Sequence, residues 1–268
     1  MALVNYLRHR ALAIVVLALT LIIFILPLTG ATVFSFKGNG GKGYSLANYQ
    51  WLIHQDGFWP NLWVSLKLAL LAALLNLLLM VPTMVYLHLK GEKWKPLVDF
   101  LCILPLIIPV VSLAIGAQIA MPGILQNTEY ELVFFFVIIS LPYTFRALDT
   151  SLSSVALKTL VEAARSLGSS WFVTIIRVIL PSIRSGITGA LFLCFALSIG
   201  EYTITSLLHW DTFPTWTVVA AQQNILGAIA ISIFSFVGAI LLMGGFALIA
   251  QRKNSQKEIV TIEDEALV

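Results

Sequence analysis

The sequence predicts an all-α, polytopic membrane protein with six transmembrane helices, and two observations carry that prediction. Of its 268 residues, 59% are hydrophobic and only 11% charged, where soluble domains carry about 25% charged residues; the mean hydropathy is +0.93. Six stretches are also long and apolar enough to cross a hydrocarbon core, which takes roughly 17–25 residues per helix. They run over 11–33, 62–89, 97–120, 132–148, 186–208 and 226–250.

The first stretch follows Arg8 and Arg10 as a signal peptide would. Its length and the lack of a clear A-x-A site favour an uncleaved anchor. The second carries Asn76 and Pro82, and the third Pro105, Pro109 and Gln118. The fourth is the weakest, because its apolar core stops at Phe145 and Pro142 interrupts it. Arg146 must then snorkel or face protein. These four prolines break helices at membrane depth, which is tolerable where the freed carbonyls face protein or a cavity, and they suit gating bends. The fifth stretch holds a mid-span acid, Glu201, and the sixth leads into a polar tail at 251–268.

Lys and Arg set the orientation, since cytoplasmic flanks carry the excess. Arg8, Arg10, Lys90, Lys93, Lys95, Arg146, Lys158, Arg165, Arg177, Arg184, Arg252, Lys253 and Lys257 share one side, against Lys37 and Lys42 on the other and Lys67 just inside the outer end of the second span. Both termini are therefore expected in the cytoplasm. The net charge of +3 is read as topology, not as a nucleic-acid surface. Cys102 and Cys194 both sit in apolar stretches, which leaves no disulfide framework and no CxxC motif. His9, His54, His88 and His209 are scattered, without HExxH or paired spacing, so no metal site is expected. Outside, 34–60 is Gly-rich and aromatic. Tyr49, Trp51, Trp59, Trp63, Trp210 and Trp216 suit an interfacial belt, with stacking on a ligand as the alternative.

The cytoplasmic loop 149–184 is too long for a minimal connection of roughly 2–8 residues. Leu157, Leu160, Val161, Ala164 and Leu167 recur at helical spacing, and Gly168 with Ser169 and Ser170 stops that helix through a left-handed cap. A second apolar run starts at Trp171, and Leu180-Pro181 marks a boundary before the fifth span. By spacing alone the first helix is either a docking element or an interfacial helix that packs only on its own subunit.

The segment 162–181, EAARSLGSSWFVTIIRVILP, resembles the EAA loop of binding-protein-dependent, type I ABC importer permeases: EAA, three residues, Gly, nine residues, then I-x-L-P. Glu162, Ala163 and Ala164 fill the first positions, Gly168 the glycine, and Leu180 and Pro181 the end, with Val178 in place of Ile. Six spans with the motif between the fourth and fifth match such permeases as well. The resemblance implies a single MetI-like permease domain over 1–268 in a bacterial-type inner membrane. It implies a coupling helix that fits a groove on an ABC ATPase dimer, a second permease subunit, favoured as a different chain, and an extracytoplasmic solute-binding protein, besides membrane lipid. The chain itself is then no enzyme and holds no cofactor. Its nearest decoy for a P-loop, Gly41-Lys42-Gly43, lacks the following Ser or Thr, so ATP and Mg belong to the partner ATPase.

Polar residues inside spans point to a pathway or a protein interior. Cys194, Ser198, Glu201 and Thr205 follow steps of four, three and four along one helical face, which would line a translocation path; the alternative for Glu201 is a paired acid at the interface with the other permease. Asn76 and Gln118 are further path candidates, though lone amides often only bond a neighbouring helix. The run ALSIGEYTITSLLHWDTFPTWT resembles the branch serving polyamines, ferric iron, thiamine and aminoethylphosphonate. A polyamine is the first expectation, since a membrane acid suits a cation. A secondary transporter or channel is the competing class, but it would more often show internal repeats and an ion-coupling carboxylate set. An intramembrane enzyme would need a nucleophile with its base, and neither GxSxG nor HExxH occurs.

Overall fold

The structure is a computed structural model that describes residues 2–38, 43–241 and 244–245, with 2–12 and Ala117 as backbone only. Its helices in chain order are α1 (Ala2–Ser35), α2 (Ala47–Ile53), α3 (Phe58–Leu89), α4 (Lys95–Ile107), α5 (Val110–Ala120), α6 (Glu131–Ser153), α7 (Leu157–Ser166), α8 (Trp171–Thr174), α9 (Leu180–Ser182), α10 (Arg184–Ile199), α11 (Thr203–Leu207) and α12 (Phe213–Gln223), then α13 (Ile225–Leu241). A π turn, Ile175–Ile179, joins α8 to α9.

Among the described residues four helical runs are long and apolar enough to span a membrane: Ala13–Ser35, Phe58–Leu89, Glu131–Ser153 and Arg184–Leu207. The expected third span, 97–120, is not one helix. It is α4 and α5, bent by 107° at Ile108 and Pro109, both extended with ψ 131. A residue before proline is pushed out of the α region and proline cannot donate into the preceding turn, which ends α4. Counting the pair as one span gives five. The expected sixth, 226–250, begins as α13, and 242–243 and 246–250 lie outside the described residues, as do the tail 251–268 and Lys42.

The chain divides into two units. The first, Met1–Phe58 with Thr217–Gly238, has α1 as its longest element, apolar on every side and with exposed Ile23, Phe24 and Leu26. A helix hydrophobic all round and exposed along most of its described length has lipid as its natural surroundings. The turn after α1 is fixed by Asn48, which is buried and donates from Nδ2 to the carbonyls of Ser35 at 2.9 Å and Lys37 at 2.8 Å. Phe58 meets Phe234 edge-on at 5.5 Å between ring centroids.

The second unit, Trp59–Trp216 with Ala239–Val268, is built around α6, the most buried of the long helices. One apolar cluster joins the first half of α3 (Leu68, Ala72) to Phe135 and Phe136 of α6 and to Phe195 and Ile204. A second joins Met84 of α3 to Phe145, Leu148 and Leu152 of α6 and to Val161, Ile179 and Ile183 of the loop. α10 lies directly on α6: a Cβ on Gly186 would fall 2.4 Å from Ser151 Cβ. Pro142 does not interrupt α6, which runs unbroken through it. α6 has protein on most of its sides, though Tyr143 and Arg146 stay exposed, and its polar residues find partners there. Arg146 pairs with Asp99 of α4 at 3.0 Å, and Asp149 Oδ1 lies 2.6 Å from Lys95 Nζ, as an ion pair, and 3.1 Å from His88 Nε2.

Candidate functional site

α7 is held by one face. Leu157 and Val161, one turn apart, are buried against the second cluster, and the helix packs on α8 and the π turn. The opposite face is open: Glu162 and Ala163 are exposed, Ala164 is half-buried, and Leu167 is 88% exposed. Glu162 forms no ion pair among the described residues. The exposed apolar set continues into Phe172, 72% exposed, so this corner presents bulky hydrocarbon beside a carboxylate.

The end of α7 has the expected left-handed cap. Gly168 has φ +82, its N–H donates to Arg165 O at 3.0 Å, and Ser169 N–H donates to Ala164 O at 3.1 Å. These are the paired bonds of a Schellman motif, in which glycine avoids the Cβ penalty of the left-handed region. Arg165 Nη1 adds a 2.6 Å bond to Ser169 O, and Ser170 Oγ then caps α8 by accepting Val173 N–H at 3.4 Å. Two cations approach Trp171, Lys90 Nζ and the Arg165 guanidinium, each 5.8 Å from its ring centroid.

Leu180 and Pro181 do not end the helical run. Leu180 is half-buried and Pro181 exposed, both within α9, and the break falls at Ile183, φ −106 and ψ 18. The missing N–H of Pro181 is absorbed upstream, where Leu180 N–H donates to Ile175 O. That is the wide i→i−5 bond of a π turn, a common relief at irregular points in helices.

The expected stripe along the fifth span is interrupted. α10 stops at Gly200, and Glu201 and Tyr202 are non-helical before α11, so Glu201 does not share one helical face with Ser198 and Thr205. Glu201 is half-buried, and its Oε1 accepts Ile204 N–H at 2.7 Å, in the first turn of α11. Thr205 is buried and its hydroxyl returns to Glu201 O at 3.0 Å. Ser198 is buried and donates to Cys194 O at 2.7 Å. Asn76 has 0% exposure and donates from Nδ2 to Ser140 Oγ at 2.7 Å. Gln118, near the end of α5, is half-buried. Cys194 is fully buried as well, so of the six path candidates only Glu201 and Gln118 reach the surface of the chain.

Two groupings were not legible beforehand. Glu131, the first residue of α6, is buried, and its Oε1 accepts the Trp210 indole N–H at 2.6 Å. An acid opening a helix reads as an ordinary helix start, and Trp210 as a belt residue, so only the fold joins them. The second is Trp171 with Lys90 and Arg165, brought together across 81 residues. Among the described residues no group of three or more His, Cys, Asp or Glu side chains is gathered as a metal ion would require.

Known proteins resemble the chain over most of its length. The family described as binding-protein-dependent transport system inner membrane component matches residues 70–255. A putative 2-aminoethylphosphonate transport system permease protein of Salmonella typhimurium is 29% identical over 256 residues, covering 91% of this chain and 96% of that one. A probable sulfate transport system permease protein of Prototheca wickerhamii is 29% identical over 200 residues, 67% and 75% of the two chains. A spermidine/putrescine transport system permease protein of Salmonella typhimurium is 30% identical over 183 residues, 62% and 63%. With its exposed and capped EAA helix and its apolar spans, the chain belongs to the binding-protein-dependent transport system inner membrane components, as a permease subunit of an ABC importer.

Proposed function

We propose that α7 is the surface through which this permease is driven by a separate ATP-hydrolysing subunit, itself the holder of ATP and Mg. The observation that carries the reading is the division of α7 into an anchored face, Leu157 and Val161, and an open face, Glu162, Ala163 and Leu167. A helix anchored on one side moves as a body with what it is anchored to. α7 packs on the π turn, which continues through α9 into α10, the helix that stops just before Glu201. Displacement of α7 is thereby passed along packed elements toward the half-buried acid, the kind of rigid shift by which packed helices switch.

Within this reading the chain works with an ATPase dimer, a second permease subunit that is a different chain, and an extracytoplasmic solute-binding protein, in an inner membrane with both its termini in the cytoplasm. Glu201 and Gln118 are the residues proposed to meet the solute. A small zwitterion of the 2-aminoethylphosphonate kind stands ahead of a polyamine, because the likeness to that permease covers 91% of this chain and the likeness to the polyamine permease 62%. Glu201 suits the amine that both solutes share.

The test is co-purification of the chain, expressed with the products of its neighbouring genes, and uptake in vesicles. Wild type is expected to bring down an ATPase and to take up labelled 2-aminoethylphosphonate only when ATP is supplied. Glu162→Lys is expected to lose the ATPase while remaining inserted. Transport by the chain alone, with no ATPase bound, would refute the coupling.

A further inference from the structure

We propose that the groove between the second half of α3 and the segment 171–187 binds one anionic phospholipid, its acyl chain along Leu74, Leu78 and Val81 and its phosphate between Lys90 and Arg165, beside Trp171. The groove encloses about 670 Å³ and is lined almost wholly by aliphatic side chains, with Lys90 the one charged residue among them. Its polarity is ordered along its length. Aliphatic residues occupy the α3 side from Leu74 to Val85, then come Tyr86 and Trp171, and finally Lys90. From Leu74 to Lys90 a helix rises about 24 Å, which accommodates one leaflet of a core about 30 Å thick. Hydrocarbon, then aromatic rim, then cation is the sequence of environments a phospholipid presents from tail to phosphate.

Charge points to an anionic occupant in preference to a protein helix. Three nearby cations are already matched, Lys95 by Asp149, Arg146 by Asp99 and Lys158 by Glu92; Lys93, over the Trp94 ring, and Arg177 have no acid among the described residues, but neither lines the groove. Lys90 and Arg165 have no acid within ion-pair distance among the described residues, and both lie 5.8 Å from the Trp171 ring centroid. Two cations without an acid, both close to one indole at the mouth of an apolar groove, fit a phosphate diester, and basic pockets between spans recognise such headgroups. An apolar helix from a second permease would fill the groove but leave both charges unanswered.

The site has a consequence, which rests on the coupling role of α7. Lys90 directly follows α3 and Arg165 lies in the last turn of α7, so one phosphate would tie the coupling helix to a span. Anionic lipid would then favour coupled transport.

Lipid retention tests the site without any appeal to ATP coupling. The complete transporter is carried from vesicles of phosphatidylglycerol or of phosphatidylcholine into native mass spectrometry. One retained phosphatidylglycerol per chain is expected, with phosphatidylcholine lost. Lys90→Gln is expected to weaken phosphatidylglycerol retention about fivefold, and Leu78→Trp, at a position 72% exposed, to block the groove by bulk without unfolding the chain. Equal retention of the two lipids, unchanged retention in Lys90→Gln, or a disulfide from Leu78→Cys to the second permease would overturn the proposal. The co-purification test reads the ATPase alone, so either idea can fail while the other stands.

Discussion

Asn76 and Ser140 share a 2.7 Å hydrogen bond between α3 and α6, with neither side chain exposed. Ser140 Oγ also lies 3.1 Å from Cys194 Sγ and 2.9 Å from Val137 O in its own helix, so one hydroxyl connects three helices. Such bonds between spans contribute on average about 0.6 kcal/mol, up to about 1.7. Asn76→Ala is expected to lower the unfolding midpoint in detergent by an amount of that order, while the substrate concentration for half-maximal uptake stays unchanged. A shifted half-saturation would return Asn76 to the solute path.

Gly168 has open space where a Cβ would stand, but its φ is +82. Substitution therefore acts through the backbone and not through a clash. A non-glycine residue in the left-handed region costs about 1–2 kcal/mol, with asparagine tolerated best. Gly168→Val is expected to reduce uptake strongly and to leave ATP hydrolysis running without transport, and Gly168→Asn to lie near wild type. Reconstituted uptake and ATPase rates, measured together, separate the two.

Gly186 presents the reverse case, with ordinary backbone and no space. Its Cβ would meet Ser151 Cβ at 2.4 Å and Oγ at 2.8 Å. Gly186→Ala is expected to force α10 off α6 at a cost of about 1–3 kcal/mol, seen as lost thermal stability. Ser151→Gly in the same chain removes both offending atoms and is expected to restore most of it.

Glu201→Gln keeps an oxygen for Ile204 N–H, now 2.7 Å away, and removes the charge. Uptake is expected to fall with ATPase binding and folding intact. Glu201→Ala also loses the bond, and is expected to cost about 1 kcal/mol of stability besides the same loss of uptake. Normal kinetics in the glutamine variant would take Glu201 out of the path.

Much of this arrangement was legible in the sequence because length and hydropathy are local properties. The span at 62–89 needed only a ruler, and the cap at Gly168 only a glycine after a helical pattern. What escaped depends on neighbours. Pro142 reads as an interruption, yet it is buried and α6 runs through it, whereas Pro109 reads the same way and turns the chain by 107°. Stepping by four, three and four placed Ser198, Glu201 and Thr205 on one face, but periodicity assumes an unbroken helix and α10 ends at Gly200. Trp210 looked like a membrane anchor, and only the fold reveals Glu131 beneath its indole nitrogen.

The π turn at Ile175–Ile179 changes how this region can be aligned with its relatives. Holding one more residue per loop than an α turn, it is equivalent to a one-residue insertion that turns all that follows by about 100° around the axis. A homologue one residue shorter here, with a plain α turn, would superimpose on α10 only after a gap is opened. Positions counted forward from Gly168 toward the fifth span would otherwise compare side chains that point in different directions.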